Sequence, residues 1–94
     1  MYVRVVRFTD VSADRAEQLL ARVKEAGGPP PGVRMSGTKL LFDEAHGTAI
    51  SIQEYATAED MQESGKVFAA MDPSETPGTR ASVDACEVKL ELEA

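Results

Sequence analysis

A chain of 94 residues buries only about 60 to 65% of its unfolded surface, which excludes a second core and predicts one domain over residues 1–94. Its net charge of −6, from 16 acidic against 10 basic residues, excludes partners that are held by Lys and Arg clusters, so neither nucleic acid nor an anionic membrane surface is expected. A single cysteine, Cys86, excludes an internal disulfide and a cysteine-rich metal site.

Tyr2 to Phe8 is β-branched and aromatic with two arginines interleaved. Tyr2, Arg4, Val6 and Phe8 share one face, and Val3, Val5 and Arg7 the other; both faces carry apolar residues, which predicts a central strand. Ser12 is placed to cap a helix in which Ala16, Leu19, Leu20 and Val23 recur at helical spacing, and Gly27 and Gly28 stop it. Pro29 to Gly32 suits neither helix nor ladder and reads as a rigid loop. A second strand is expected over Val33 to Asp43, with an irregularity near Gly37.

Asp43 to Gly47 reads as a hairpin connection to the alternating Thr48 to Tyr55, where Ile50 and Ile52 share one face and Ser51, Gln53 and Tyr55 the other. Thr57 with Asp60 forms a variant capping box for a second helix, whose inner stripe is Met61, Ser64, Gly65, Phe68 and Met71 and which Asp72 and Pro73 end. Ser74 to Arg80 reads as a loop rich in Pro, Gly and Thr. Cys86, Val88, Leu90 and Leu92 alternate with charged residues and predict a final strand with the apolar set facing inward. The order is βαββαβ, and the expected class is α+β: a ferredoxin-like sandwich with a four-stranded antiparallel sheet. Two helices on one face leave the other bare, which at this size predicts a partner subunit, expected to cover the face bearing Ala49, Ser51 and Tyr55.

Several motifs reduce to plain structure. Asp43-Glu44-Ala45-His46 spells a helicase signature, but no Gly-Lys-Ser or Gly-Lys-Thr phosphate loop accompanies it, so it reads as a turn. His46, the only histidine, falls at the hairpin tip and lacks a second histidine for a metal. Cys86 has no cation nearby in sequence and reads as a small apolar group. Arg4 and Arg7 stand out, because a guanidinium buried in a strand must be paired or hydrogen-bonded. Arg7 is a candidate to hold a carboxylate ligand, against an ion pair with Glu54, Glu87 or Glu91. Gly65, at about 1 kcal/mol of lost helix propensity, either permits close packing or leaves room for a ligand.

Lys39 to Met71 runs from a strand ending Leu-Leu-Phe-Asp, through a turn with Gly47 and the strand Ile50-Ser51-Ile52-Gln53-Glu54-Tyr55, into a helix opened by Thr57-Ala58-Glu59-Asp60-Met61. This stretch resembles the antibiotic biosynthesis monooxygenase family within the superfamily of dimeric α+β barrels. The resemblance implies a homodimer whose sheets pack face to face, with a pocket between each sheet and its own helices. Members that oxygenate polycyclic aromatics or degrade haem use Asn, Trp, His or Tyr there; this chain has no Asn or Trp and retains Tyr2, Tyr55 and His46.

The expectation is a homodimer binding a small, largely apolar or aromatic ligand, with a cofactor-independent monooxygenase of phenolic substrates as the alternative. The expected site combines Phe8, Ile50, Ile52, Met61, Gly65 and Phe68 as lining, with Tyr55 or Arg7 holding a phenolate. No haem, flavin or metal is expected, for want of specific ligands and of a phosphate loop. With no signal-like start and no apolar run near the roughly 20 residues of a membrane span, the expected location is cytoplasmic.

Overall fold

The structure, a computed structural model, describes residues 1–29, 31–70 and 78–93. In chain order it holds β1 (Tyr2–Thr9), α1 (Ala13–Ala26), β2 (Gly37–Asp43), a 3₁₀ turn (Glu44–His46), β3 (Thr48–Tyr55), α2 (Ala58–Ala69) and β4 (Thr79–Glu87). The strands form one antiparallel sheet in the order β2-β3-β1-β4, so the mixed apolar composition of β1 belongs to a central strand. An α+β chain with this order of elements around a four-stranded antiparallel sheet is consistent with a ferredoxin-like fold. Among the described residues, no helix is long and apolar enough to cross a membrane.

Local chemistry sets the helix ends. Ser12 accepts a hydrogen bond from the Arg15 amide at 3.2 Å, and Gly27 closes α1 in the left-handed conformation that a Cβ would oppose. Thr57 caps α2 by accepting from the Asp60 amide at 3.1 Å. The hairpin between β2 and β3 turns through Asp43, whose carboxylate takes the His46 amide, and ends at left-handed Gly47.

Register divides the side chains between faces. Arg4 lies opposite Gln53, Val6 opposite Ser51 and Phe8 opposite Ala49, all on the helix side; Val5 lies opposite Ile52 and Arg7 opposite Ile50, on the bare side. The apolar core on the helix side is small: Val6, Phe8, Ala49, Val11 and Ala16. Leu20 and Val23 of α1 remain 44% and 52% exposed, so the expected apolar stripe of α1 is covered only at Ala16 and half-covered at Leu19. The inner stripe of α2 is as expected from Met61 to Phe68; Met71, Asp72, Pro73 and the loop up to Pro77 lie outside the described residues, as does Pro30.

Two strands differ from expectation. The second begins at Gly37 rather than Val33, because the segment before it is anchored by other bonds: the Arg34 amide donates to Ser64 Oγ at 3.0 Å and the Ser36 amide to the Glu54 carbonyl at 2.7 Å. The last strand is Thr79–Glu87 rather than Cys86 to Leu92. Glu87 pairs with Tyr2, the first ladder residue of β1, and beyond it only the Val88 amide finds backbone, at the Met1 carbonyl. Alternation alone does not make a strand where no neighbour remains to pair with. Cys86, paired with Val3, is set by that register on the bare face and is exposed rather than inward, and Leu90 and Leu92 are 76% and 80% exposed.

Candidate functional site

Beneath α2, on β1 and β3, lies a layer of polar side chains that the sheet register assembles. Arg4 from β1 is only 6% exposed, Gln53 from β3 is equally enclosed, and Tyr55 and Ser64 have no exposed surface at all. Alternation along β3 sends Ser51, Gln53 and Tyr55 to the same side, and antiparallel pairing sets Arg4 directly across from Gln53. Helical spacing turns Met61, Ser64 and Phe68 of α2 down onto them.

Gln53 is the hub. Its Oε1 accepts from Arg4 Nη1 at 3.0 Å and from Tyr55 Oη at 3.0 Å, while its Nε2 donates to Ser51 Oγ at 3.3 Å. The Phe68 ring lies over the guanidinium, its centroid 5.1 Å from Cζ, within the range of a cation–π contact. The Gly32–Ser36 stretch flanks α2, with Arg34 bound to Ser64 and a Cβ built on Gly32 lying 3.2 Å from Val67 Cγ2.

Charge in this layer is uncompensated by acid. Burial lowers the Arg4 pKa from its ordinary value; the neighbouring Tyr55 phenol opposes that shift and the Arg80 guanidinium adds to it. Burial likewise raises the Tyr55 phenol, against smaller lowering effects from a hydrogen bond with Ser64 and from the Arg4 charge. Tyr55 is thus a neutral donor near pH 7. The layer can hold and polarise a ligand, but it contains no side chain poised to accept a proton at neutral pH.

The structure brings together Tyr55, Met61, Gly65 and Phe68 of the expected site and separates the rest. Phe8 faces the helices but joins the apolar core about 13 Å along the strand from Arg4. Ile50, Ile52 and Arg7 occupy the opposite face of the sheet, because residues adjacent along a strand point to opposite sides; they cannot line a pocket with Met61. Arg7 is exposed, and the ion pairs among the described residues join His46 to Asp43, Lys66 to Glu63 and Lys89 to Glu87, not Arg7 to Glu54, Glu87 or Glu91. The buried arginine is Arg4. Its signal was available, since Tyr2, Arg4, Val6 and Phe8 share a face; Ser64 was marked only by its place in the inner stripe of α2, and Gln53, on the polar-looking face of β3 with Ser51, carried no signal.

His46 stands at the hairpin tip, where its Nδ1 lies 2.8 Å from Asp43 Oδ2, and its side chain is 78% exposed. That hydrogen bond is the main cause that holds the Asp43 carboxyl below its ordinary range. Among the described residues, no group of three or more His, Cys, Asp or Glu side chains is placed to hold a metal ion. Comparison of the chain with protein-family models finds no match, and comparison with curated proteins finds none either. The reading of the site rests on its own geometry.

Proposed function

We propose that this chain is a binding protein for a small organic ligand with a largely apolar body, seated against Arg4, Gln53 and Tyr55 beneath α2, and that it works as a homodimer of the α+β barrel kind. The observation that carries the reading is the buried layer itself: a guanidinium, an amide and a phenol are held by one another on the helix side, with Met61 and Phe68 above them. A few convergent polar groups inside an apolar surround are what a ligand pocket requires.

Gly65 is compatible with a ligand at this layer. A Cβ at that position would lie 3.9 Å from Arg4 Nε, an ordinary contact, so the glycine is not demanded by close approach of the helix. Apolar surface on the same side stays partly uncovered, with Phe42 38% and Val83 43% exposed. For the dimer, the support is the bare face: Val3, Val5, Ile50 and Ile52 run down its centre beside Leu41, which is 46% exposed, and Arg7, Lys39, Glu54 and Asp84 bear both signs of charge around them. A second copy covers that face in this reading, as in the monooxygenase-like barrels that Lys39 to Met71 resembles.

Binding is favoured over the alternative, a cofactor-independent monooxygenase. Arg4 is suited to steady a phenolate, but the Tyr55 proton is already given to Gln53 and the layer supplies no base to form a phenolate at neutral pH. Native mass spectrometry of the purified protein tests the reading: a co-purified small molecule is expected from the parent chain and not from Gly65→Leu, with both folded. Oxygen uptake with reduced polycyclic phenols would instead establish the enzyme. Light scattering after gel filtration tests the dimer; a monomer at micromolar concentration removes the barrel, and Ile52→Glu is expected to produce one.

A further inference from the structure

Arg4 uses only part of its hydrogen-bonding capacity. Nη1 is bound to Gln53, and among the described residues neither Nε nor Nη2 has a hydrogen-bond partner and no carboxylate pairs with the guanidinium. This occurs in a chain with 16 acidic residues against 10 basic ones, so acids for an internal pair are abundant. Among the described residues, no fully enclosed side-chain nitrogen or oxygen lacks a hydrogen-bond partner, which means that the unbonded edge of the guanidinium touches solvent. Nε lies next to Gly65, where a Cβ would sit 3.9 Å away at an ordinary contact distance.

We infer that Arg4 receives the carboxylate of an organic acid at the solvent-touching edge of its guanidinium, one oxygen on Nε–H and the other on Nη2–H, with the apolar body of the acid beside Phe68. This rests on the ligand-binding reading given above. The Nε and Nη2 hydrogens of a guanidinium form a planar fork that matches the two oxygens of a carboxylate, and Gln53 fixes the fork by holding Nη1. Phe68 against the guanidinium keeps its plane in place. Arg80, on the same face opposite Phe8, adds positive potential to the helix side. A single fork with apolar neighbours suits a monoanion; a phosphate dianion, with more acceptor oxygens and more charge, would require further donors.

The test compares naphthalene carboxylate with its carboxamide, which has the same body and no charge, by calorimetry on the full chain. The acid is expected to bind at least about tenfold more tightly. It should also move the Arg4 Nε–H proton resonance downfield, and Arg4→Met should abolish the preference while Gly65→Leu weakens both compounds. Should Arg4→Met fail to fold, the parent chain decides through the resonance and the affinity ratio. Equal affinities, or an unmoved Arg4 resonance, overturn the carboxylate assignment and leave the apolar-ligand reading standing. Binding of neither compound at millimolar concentration overturns both.

Discussion

The two faces of the sheet treat the same side chain in opposite ways. Arg4, on the helix side of β1, is 6% exposed, bonded to Gln53 and covered by Phe68. Arg7, further along the same strand on the bare side, is exposed among Ile50, Val5 and Ser82. Burial is decided by where α2 lies, not by the strand. A buried guanidinium costs several kcal/mol in desolvation and persists only where hydrogen bonds and stacking offset that cost, whereas an exposed one keeps its water. The helix side is therefore where substitution has large consequences.

The sharpest way to break this contrast is Gln53→Leu. It leaves Arg4 Nη1 and Tyr55 Oη without their common acceptor, and a loss of about 3–5 kcal/mol is expected in urea unfolding. A loss below about 1 kcal/mol would mean that water already reaches these groups and that the layer is not a buried one.

Alkaline pH offers a milder probe of the same layer. Burial holds the Tyr55 phenol above its ordinary value, so as pH rises past about 10 the unfolded chain loses that proton first. The unfolded state then binds fewer protons than the native state, and stability falls with pH. The contribution is complete below about pH 10 and disappears as pH climbs through the native value. Urea midpoints measured on both sides of that pH should diverge in the parent chain and much less in Tyr55→Phe.

Gly65→Ala should act in the opposite direction. The added methyl meets Arg4 Nε at an ordinary distance, and the helix gains about 0.5–1 kcal/mol from its better propensity, raising the melting temperature by about 4 °C. A lower melting temperature would show that α2 and the sheet are too close there to admit a ligand. On the bare face, Arg7→Gln is expected to change stability by less than about 0.5 kcal/mol in calorimetry, which makes it the control for the loss at Gln53.

Much of the architecture was legible because it depends on short-range rules. Ser12, Gly27 and Thr57 mark helix ends through bonds to backbone within a turn, and the alternation of Thr48 to Tyr55 states which residues share a face. The candidate site was legible in part. Met61, Gly65 and Phe68 were placed from periodicity, but the two faces of β3 were assigned the wrong way round: Ile50 and Ile52 were expected beneath the helices on apolar character and the face bearing Ala49, Ser51 and Tyr55 against a partner, whereas that second face is the buried one. The last strand failed for a different reason: Leu90 and Leu92 alternate well, yet the ladder with β1 ends where Glu87 meets Tyr2, and alternation is not by itself a pairing partner.

The sequence by itself determined the order of elements and the two faces of each strand, since both follow from side-chain period and from local capping. The tertiary structure alone decided which face α2 covers, which strand register sets Arg4 across from Gln53, and hence which of two arginines is buried. Those choices depend on backbone pairing between residues about fifty positions apart and on the packing of a helix over them. A side chain's own identity carries no trace of such distant partners; only the register of the ladder brings a guanidinium, an amide and a phenol to one place.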